Sequence, residues 1–322
     1  MIYRYLIPLC LTAATLVTST SQTVEAAREA SAIQPKEVAA IAKKMVVRIE
    51  SADGGFGSGV IIGRVKKGAK NIYTILTAAH VVNSSSNSYQ LITPIILDNS
   101  GKKKRERINI DVDRNIKILP KVDLAIFSFE SNNAFAVGTI GNSEYAEEGT
   151  PVYVAGFPKP GQAIRRITFQ FTGGMVSSRL EESDPNTQEP ITTNGYDLSY
   201  TSITRSGMSG GPVLDVAGRV VAIHGQGDRN SQNPEEENSG GVGSNEKTGF
   251  NLGIPMQTFL KLQPQAIKVI GAKIDKSPVN YQLSDSSATI GTNNRKFLRK
   301  YRTRSGTAPI LDVTKVSEQT SD

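Results

Sequence analysis

Three residue types in this chain could together perform nucleophilic chemistry: a serine, a histidine and an aspartate. Ser209 lies in "SGMSGGPV", residues 206–213, where glycines and a proline surround one hydroxyl group. Glycine permits backbone conformations that are costly for other residues, and proline restricts the backbone that follows. The segment therefore indicates either a turn whose amides and hydroxyl point at a ligand, or an ordinary tight turn between two strands.

A serine hydroxyl becomes a good nucleophile when a general base lies within hydrogen-bond reach and a third group orients that base. The chain has two histidines, and His80 stands at the end of an apolar strand-like segment, "TAAHVV". We predict that His80 is the base; the alternative is a buried structural histidine. Asp123 in "KVDLAIFSF" leads directly into an apolar strand and is the best candidate for the orienting carboxylate. Asp111 and Asp113, at a polar strand end, are weaker candidates.

The N-terminal residues are typical of a secretory signal peptide. Arg4 precedes the apolar run "LIPLCLTAATLV", and the small residues of "VEAA" follow, so we predict cleavage after Ala26. The alternative is an uncleaved anchor, although the apolar run is too short to span a bilayer as a helix. Because the only cysteine, Cys10, lies within this segment, a secreted or periplasmic mature protein would contain no cysteine. Thiol catalysis, disulfides and cysteine-based zinc sites are then excluded.

The remaining composition restricts cofactors and partners. Two histidines are too few for a multi-histidine metal site, so we expect no metal and no other cofactor. The net charge of +7 is concentrated at residues 295–304, "RKFLRKYRTR". Such a run is usually a solvated tail, although it could contact phosphates or an anionic membrane surface. We expect no nucleic-acid partner and no transmembrane segment. The acidic "PEEEN" within residues 228–248 indicates a solvated loop rather than a calcium site.

Short β-branched or alternating segments, separated by turn residues, fill two successive parts of the chain. The first set runs from "VVRIES" to "DLAIFSF", and the second from "PVYVAGF" to "TGFNLGIP". Helices are predicted only at Gln34–Met45, with Val38, Ile41 and Met45 on its apolar side, and at "MQTFLKLQPQAIKV". Since no helices alternate with the strands, the pattern predicts an all-β protein of two antiparallel barrels or sandwiches.

The chain order His80, Asp123, Ser209 matches the order of chymotrypsin and differs from those of subtilisin and the α/β-hydrolases. The segments "TAAH", "DLA" and "GMSGGP" resemble the three signature segments of trypsin/chymotrypsin-like serine proteases over roughly residues 46–262. The resemblance implies two Greek-key barrels with the site between them, and an oxyanion hole made by the amides of Gly207 and Ser209. Met208 stands where digestive members carry an activating aspartate, so the chain is more similar to the bacterial branch.

On this basis the domain organisation is predicted as a signal peptide at 1–26, a linker and short helix at 27–45, and a first β-barrel at 46–145. A second barrel with a short C-terminal helix follows at 146–272. A polar, basic and disordered tail at 273–322 is expected to complete the chain.

The specificity pocket is predicted by the same resemblance. Ile203, six residues before the nucleophile, gives the pocket base no carboxylate for a basic substrate residue. Thr204 and His224 are similar to the pair that binds a substrate carboxylate in bacterial glutamyl endopeptidases, since a hydroxyl and an imidazole can both donate to an anion. The alternative for His224 is a core histidine of a strand. Gly225 and Gly227 would leave room for an extended substrate.

The sequence thus predicts an exported serine endopeptidase that acts through an acyl-enzyme on protein or peptide substrates, with a preference for Glu or Asp before the scissile bond. A stress protease of broad specificity is an alternative, although the roughly fifty residues after the C-terminal helix are too polar for a PDZ domain. A catalytically silent binding module on a protease scaffold is a second alternative. A third assigns the function to the basic tail.

Overall fold

The computed structural model describes residues 29–83, 88–98, 100–111, 115–180, 192–229 and 247–283. The predicted signal peptide, Asp113, most of the 228–248 insertion and the basic run at 295–304 lie outside these residues. No helix within the described ranges is long and apolar enough to cross a membrane.

The first half of the described chain forms a seven-stranded antiparallel sheet. Its strands, in chain order, are β2 (Val46–Ser51), β3 (Phe56–Lys67), β4 (Lys70–Thr77), β5 (Ser88–Ile92), β8 (Arg107–Asp111), β9 (Lys117–Ile118) and β10 (Ala125–Ser131), and a separate small hairpin consists of β6 (Ile96–Leu97) and β7 (Lys103–Lys104). The order of strands in the sheet is β8-β5-β2-β3-β4-β10-β9. Strands β3 and β4 form a long hairpin, and β10 pairs along its whole length with β4, from Ala125 opposite Thr77 to Ser131 opposite Asn71.

The second half forms an eight-stranded sheet. Its strands are β11 (Thr139–Gly141), β12 (Pro151–Gly156), β13 (Gln170–Arg179), β14 (Leu198–Thr201), β15 (Pro212–Leu214), β16 (Val220–Arg229), β17 (Lys247–Pro255) and β18 (Lys273–Asp275), while β1 (Ala30–Ala32) pairs with β19 (Val279–Leu283) separately. The order of strands in the sheet is β15-β12-β13-β14-β17-β16-β11-β18. A further pairing between β15 and β16 joins the six strands from β15 to β16 into a closed barrel, and closure leaves no free edge among them.

The helices are short and lie outside the sheets. Those that the described ranges contain in full are α1 (Pro35–Met45), α2 (Ala79–Val82), α3 (Met256–Leu262) and α4 (Pro264–Val269), with a 3-10 turn at Ser143–Tyr145. The predicted C-terminal helix is thus two helices, because proline lacks the N–H that would continue the first one. In α1 the predicted apolar residues Val38 and Met45 are buried. The third, Ile41, is 37% exposed, and the buried position beside it is Ala42.

The all-β class and the chymotrypsin-like architecture are confirmed. Two boundaries differ from the predicted domains. β11, assigned by sequence to the first barrel, pairs with β16 and β18 of the second sheet. Residues 273–283, predicted as a disordered tail, form β18 and β19. The predicted tail therefore contains two strands, whose pairing with distant β11 and β1 is a tertiary effect absent from the local sequence.

One hydrophobic core lies between the two sheets. It contains buried residues from α1, from the first sheet and from the second, such as Met45, Leu76 and Ile223, all at most 1% exposed. A buried side chain of this size contributes about 1.5–3 kcal/mol to folding. The core holds the end of β4 close to the strands of the second barrel, and the predicted site residues lie on that boundary.

Candidate active site

His80 lies in the single helical turn α2, directly after β4, and Asp123 lies just before β10. Because β4 and β10 are paired, with Thr77 opposite Ala125, the two residues are brought together at one end of the sheet. The His80 imidazole Nδ1 is 2.5 Å from Asp123 Oδ2, and the His80 backbone N–H donates to Asp123 Oδ1 at 2.8 Å. The carboxylate therefore binds the ring through Nδ1 and the backbone of the same residue through its N–H, while 47% of the His80 side chain remains exposed.

The carboxylate of Asp123 has a third donor that sequence reasoning missed. The Tyr196 hydroxyl, from the segment before β14, donates to Asp123 Oδ2. Burial acts to raise the pKa of Asp123, but the hydrogen bonds from His80 and Tyr196, with the charge of His80, together hold it below its usual value. Asp123 therefore stays ionised at neutral pH beside the imidazole.

Ser209 is half-buried in a turn that only glycines can form. Gly207 and Gly210 have φ angles of +95° and +82°. A β-carbon at Gly210 would lie 2.1 Å from the Thr77 hydroxyl and 3.0 Å from the Ala78 amide nitrogen. The turn thus packs against the residues that immediately precede α2, which puts Ser209 beside the histidine segment.

The backbone amides of Gly207 and Ser209 have no hydrogen-bond acceptor among the described residues. The carbonyl of Ser206 accepts from the Lys159 N–H at 2.8 Å. In a trans peptide the carbonyl and the following N–H point in opposite directions, so the Gly207 N–H points away from Lys159. Two unpaired amides next to one serine hydroxyl form an arrangement that can bind an oxyanion.

Ser58 of β3, which no sequence pattern indicated, holds this turn in place. Its hydroxyl donates to the Gly207 carbonyl at 2.8 Å and accepts from the Phe157 N–H at 2.8 Å, and its own N–H donates to the Ser209 carbonyl at 2.8 Å. The first sheet thus sets the position of the serine turn. Across the described part of the chain, no hydrogen bond joins the Ser209 hydroxyl to His80.

A cavity of about 370 Å³ opens beside Ser209. His224 and Gly227 of β16 form part of its wall. Lys247 lies across Gly227, where a β-carbon would be 3.3 Å from the lysine Nζ. The other charged side chains at the cavity are two further cations and one carboxylate: Arg205, Arg229 and Asp228.

His224 is in the core and at the cavity at once. Its side chain is buried, and its Nδ1 is 2.6 Å from the Tyr200 hydroxyl. Burial, together with the charges of Lys247 and His80, lowers the pKa of His224 to about 3. Burial also raises the pKa of Tyr200 well above its usual value, so the phenol and the imidazole are both neutral in this hydrogen bond.

Two other predicted pocket residues are turned elsewhere. The Thr204 hydroxyl donates to Asn251 Oδ1, and the cavity beside Ser209 does not include Thr204. Its carbonyl oxygen instead accepts from Lys247 Nζ at 3.0 Å. Ile203 is 79% exposed and lines a separate cavity, so it does not form the base of a pocket beside Ser209. The described residues contain no cluster of three or more His, Cys, Asp or Glu side chains that could bind a metal.

The family model described as a trypsin-like peptidase domain matches residues 57–223, just over half of the 322-residue chain. The chain belongs to the trypsin-like peptidase family. The matched range of this trypsin-like peptidase contains His80, Asp123 and Ser209. No curated protein matches it in sequence.

Solved structures similar to this chain include two described as proteases and a third, Deg5. The HtrA-type protease AlgW with a tripeptide is 18% identical with a TM-score of 0.48, and the match covers 73% of this chain and 64% of AlgW. The inactive form of the Rv3671c protease is 20% identical (TM-score 0.45; 76% and 100% covered), and Deg5 is 18% identical (TM-score 0.46; 74% and 95% covered). The trypsin-like peptidase thus spans about two thirds of the length of the AlgW chain.

Proposed function

We propose that this trypsin-like peptidase is a serine endopeptidase with Ser209 as nucleophile, His80 as general base and Asp123 as the orienting carboxylate. The observation that carries the proposal is the 2.5 Å contact between His80 Nδ1 and Asp123 Oδ2, made at the edge where the glycine-rich turn of Ser209 packs. Neither the family nor the fold alone determines activity; the combination of these side chains supports it.

The chemistry follows from these positions. Ser209 Oγ attacks the scissile carbonyl carbon while His80 Nε2 accepts the hydroxyl proton, and Asp123 stabilises the imidazolium that forms. The amides of Gly207 and Ser209 donate to the oxyanion of the tetrahedral intermediate. Its collapse breaks the C–N bond, and His80 returns the proton to the leaving amine. Water, activated by His80, then hydrolyses the acyl-enzyme and regenerates the Ser209 hydroxyl.

Labelling with a fluorophosphonate tests this proposal against a silent binding module. The reagent is expected to modify Ser209, located by mass spectrometry of the digested protein, and to abolish peptide hydrolysis. Ser209→Ala should prevent both, whereas Ser128→Ala, on the exposed side of β10, should retain both. Absence of labelling together with absence of hydrolysis would favour the silent module, since a broad-specificity stress protease would also be labelled.

We also propose that the enzyme prefers Glu or Asp before the scissile bond. The supporting observation is the Lys247 ammonium at the cavity beside Ser209, held by the Thr204 carbonyl. Because the buried His224 is neutral, it adds a polar group to the cavity wall but no charge. The preference thus rests on the positive charge of Lys247 and not on a Thr204–His224 pair. Gly227 leaves space for the lysine. Gly225, which was predicted to leave room for substrate, is buried against the ring of Tyr196.

A peptide library that varies the residue before the scissile bond tests the preference. Peptides with Glu should be cleaved faster than matched peptides with Gln, because charge-assisted hydrogen bonds are about twice as strong as neutral ones. Equal cleavage of Glu and Gln peptides, or a preference for basic or apolar residues, would contradict the acidic preference and leave the protease assignment unaffected.

Export is a further part of the proposal, and it rests on the sequence of residues 1–26 alone. Protein isolated from its native host should begin near Ala27 when its N-terminus is sequenced. An N-terminus at Met1 on protein from the cytoplasm would contradict export.

A further inference from the structure

We infer that Tyr196 is a positioning residue of the active site, which holds the Asp123 carboxylate in the orientation that His80 requires. The inference rests on the proposed function, because it assigns a role within the same group of residues. Tyr196 is 4% exposed and belongs to neither the histidine segment nor the serine turn. It reaches the carboxylate from the second half of the chain, just before β14.

Tyr196 and His80 share the two carboxylate oxygens of Asp123. Asp123 Oδ2 contacts both His80 Nδ1 and the Tyr196 hydroxyl, whereas Oδ1 accepts from the His80 backbone N–H. A carboxylate that is largely removed from water is costly unless its oxygens accept hydrogen bonds. Without Tyr196, every hydrogen bond to this carboxylate would come from His80. The tyrosine thus fixes the one oxygen that orients the imidazole.

The ring of Tyr196 occupies the space beside Gly225. A β-carbon at Gly225 would lie 2.0 Å from Tyr196 Cε1 and 2.6 Å from its hydroxyl oxygen. The backbone of Gly225 does not have a positive φ, so glycine is needed at this position for space and not for backbone freedom. The phenol therefore lies where any side chain at position 225 would project, and the glycine makes its approach to Asp123 feasible.

Tyr196 donates its hydroxyl proton from a segment that also binds the backbone of Asp123. Burial, the hydrogen bond to Asp123 and the charge of that carboxylate raise the pKa of Tyr196, so its hydroxyl stays protonated at neutral pH. The carbonyl of Asn194 accepts from the Asp123 N–H at 3.0 Å, and a β-carbon at Gly195 would lie 2.8 Å from a Val122 methyl group. The segment before β14 thus holds both the backbone and the side chain of Asp123.

Steady-state kinetics of Tyr196→Phe test the role, since this change removes the hydroxyl and keeps the ring. A hydrogen bond to a charged group corresponds to roughly a 10- to 100-fold effect, and we expect kcat to fall by that factor with KM within about twofold. The carboxylate, with one donor fewer, would stabilise the protonated imidazole more strongly. The acid limb of the kcat/KM profile should therefore move to higher pH.

Tyr73→Phe is the matched control. Tyr73 is also a buried tyrosine, and its hydroxyl donates to the Asn133 carbonyl and accepts from the Phe135 N–H, each at 2.9 Å, away from the site. Its loss should lower the urea midpoint without changing kcat or the pH profile. If Tyr196→Phe behaved like Tyr73→Phe, with lower stability and unchanged kinetics, the inference would be wrong.

A measurement that does not depend on activity separates this inference from the proposed function. In the full chain carrying Ser209→Ala, the proton between His80 Nδ1 and Asp123 should give a downfield ¹H NMR signal. Adding Tyr196→Phe should shift or broaden this signal, and adding Tyr73→Phe should leave it in place. An unchanged signal would overturn the inference even if the enzyme proved to be a serine protease. Hydrolysis retained by Ser209→Ala would instead overturn the proposed function.

Restoring a hydroxyl from the other side completes the test. In Tyr196→Ala the ring is absent, so Gly225→Ser can place a hydroxyl in the space that the phenol occupied, starting from a β-carbon 2.6 Å from its oxygen. We expect kcat of the double variant to exceed that of Tyr196→Ala by about tenfold, a recovery of one hydrogen bond to a charged group. A double variant no faster than Tyr196→Ala would contradict the positioning role.

Discussion

The two histidines of this chain occupy opposite environments only a short distance apart. His80 lies at the end of the first sheet, half-exposed, with a carboxylate on Nδ1. His224 lies in β16 of the second barrel, 2% exposed, with a phenol on Nδ1. The partner and the burial distinguish the two imidazoles: the first is exposed beside a carboxylate, as the proposed base requires, and the second is buried, neutral and bonded to a phenol.

The same contrast applies to the two halves of the molecule that carry them. In the proposed mechanism the first half supplies the proton-transfer pair, His80 and Asp123, and the second supplies the turn of the nucleophile Ser209, the unpaired amides and the cavity wall. Ser58 and Tyr196 each cross from one half to a site residue of the other, so neither half contains a complete site. Substitutions in each half should therefore reduce activity in different ways.

Removal of the nucleophile or the base should have the largest effect. Ser209→Ala and His80→Ala are each expected to lower kcat by about 10⁴–10⁶-fold, and the double variant should be little worse, because members of such a group act as a unit. Peptide hydrolysis by protein purified from a protease-deficient host measures this. A multiplicative loss in the double variant would indicate that the two residues act independently.

Asp123→Asn should lower kcat by about 10⁴-fold, since the amide would favour the wrong imidazole tautomer while its shape is nearly unchanged. Asp98→Asn is the control, because Asp98 lies in an exposed turn and bonds only within that turn, to residues 100–102. Kinetics of the two variants on one substrate make the comparison. Equal activities would assign the orienting role to another carboxylate.

Lys247→Met should reduce kcat/KM for a Glu substrate by about 10- to 100-fold, the range of one hydrogen bond to a charged group, and change the value for the Gln analogue little. Lys103→Met, in the separate β6–β7 hairpin, serves as the control for loss of one positive charge. A similar decline for both substrates would show that the lysine contributes to packing of the cavity and not to charge recognition.

The smallest effect concerns His224 and stability. Its pKa is about 3 in the folded protein and about 6.5 in an unfolded chain, so the unfolded state binds more protons between these values. The free energy of unfolding should therefore decrease as the pH falls from 6.5 towards 3, with a slope of at most about 1.4 kcal/mol per pH unit from this group. Urea midpoints at pH 7, 6, 5 and 4 should fall less steeply in His224→Gln. Parallel curves would show that His224 is not buried in its neutral form.

The residues predicted from sequence were those that stand in short local patterns. His80, Asp123 and Ser209 are each marked by their neighbours, and strand alternation was enough for the all-β class. Tyr196 and Ser58 were missed because their roles depend on contacts 73 and 149 residues apart, which no local pattern encodes. Gly225 was predicted to leave room for substrate, but the space beside it is filled by the ring of Tyr196, from the segment before β14.

The pocket shows a second limit of sequence reasoning. Spacing from Ser209 selected Thr204 and His224 as pocket residues, but it did not determine the directions of their side chains. The Thr204 hydroxyl is bonded to Asn251, and the charge that we propose for the pocket comes from Lys247, 38 residues along the chain from Ser209. Similarly, β18 has little strand character of its own and is defined by its pairing with β11.

The strands after α4 have a consequence for how the protein is made. Ala272 bridges to Gly63 of β3, 209 residues earlier in the chain, and β18 pairs with β11 of its own sheet, 134 residues earlier. Contacts at such separations slow folding, and ribosomes add about 5–20 residues per second. During synthesis Gly63 of the first sheet must wait on the order of 10–40 seconds for Ala272. The fold is thereby completed late, and so is the cleft in which a peptide would be cut.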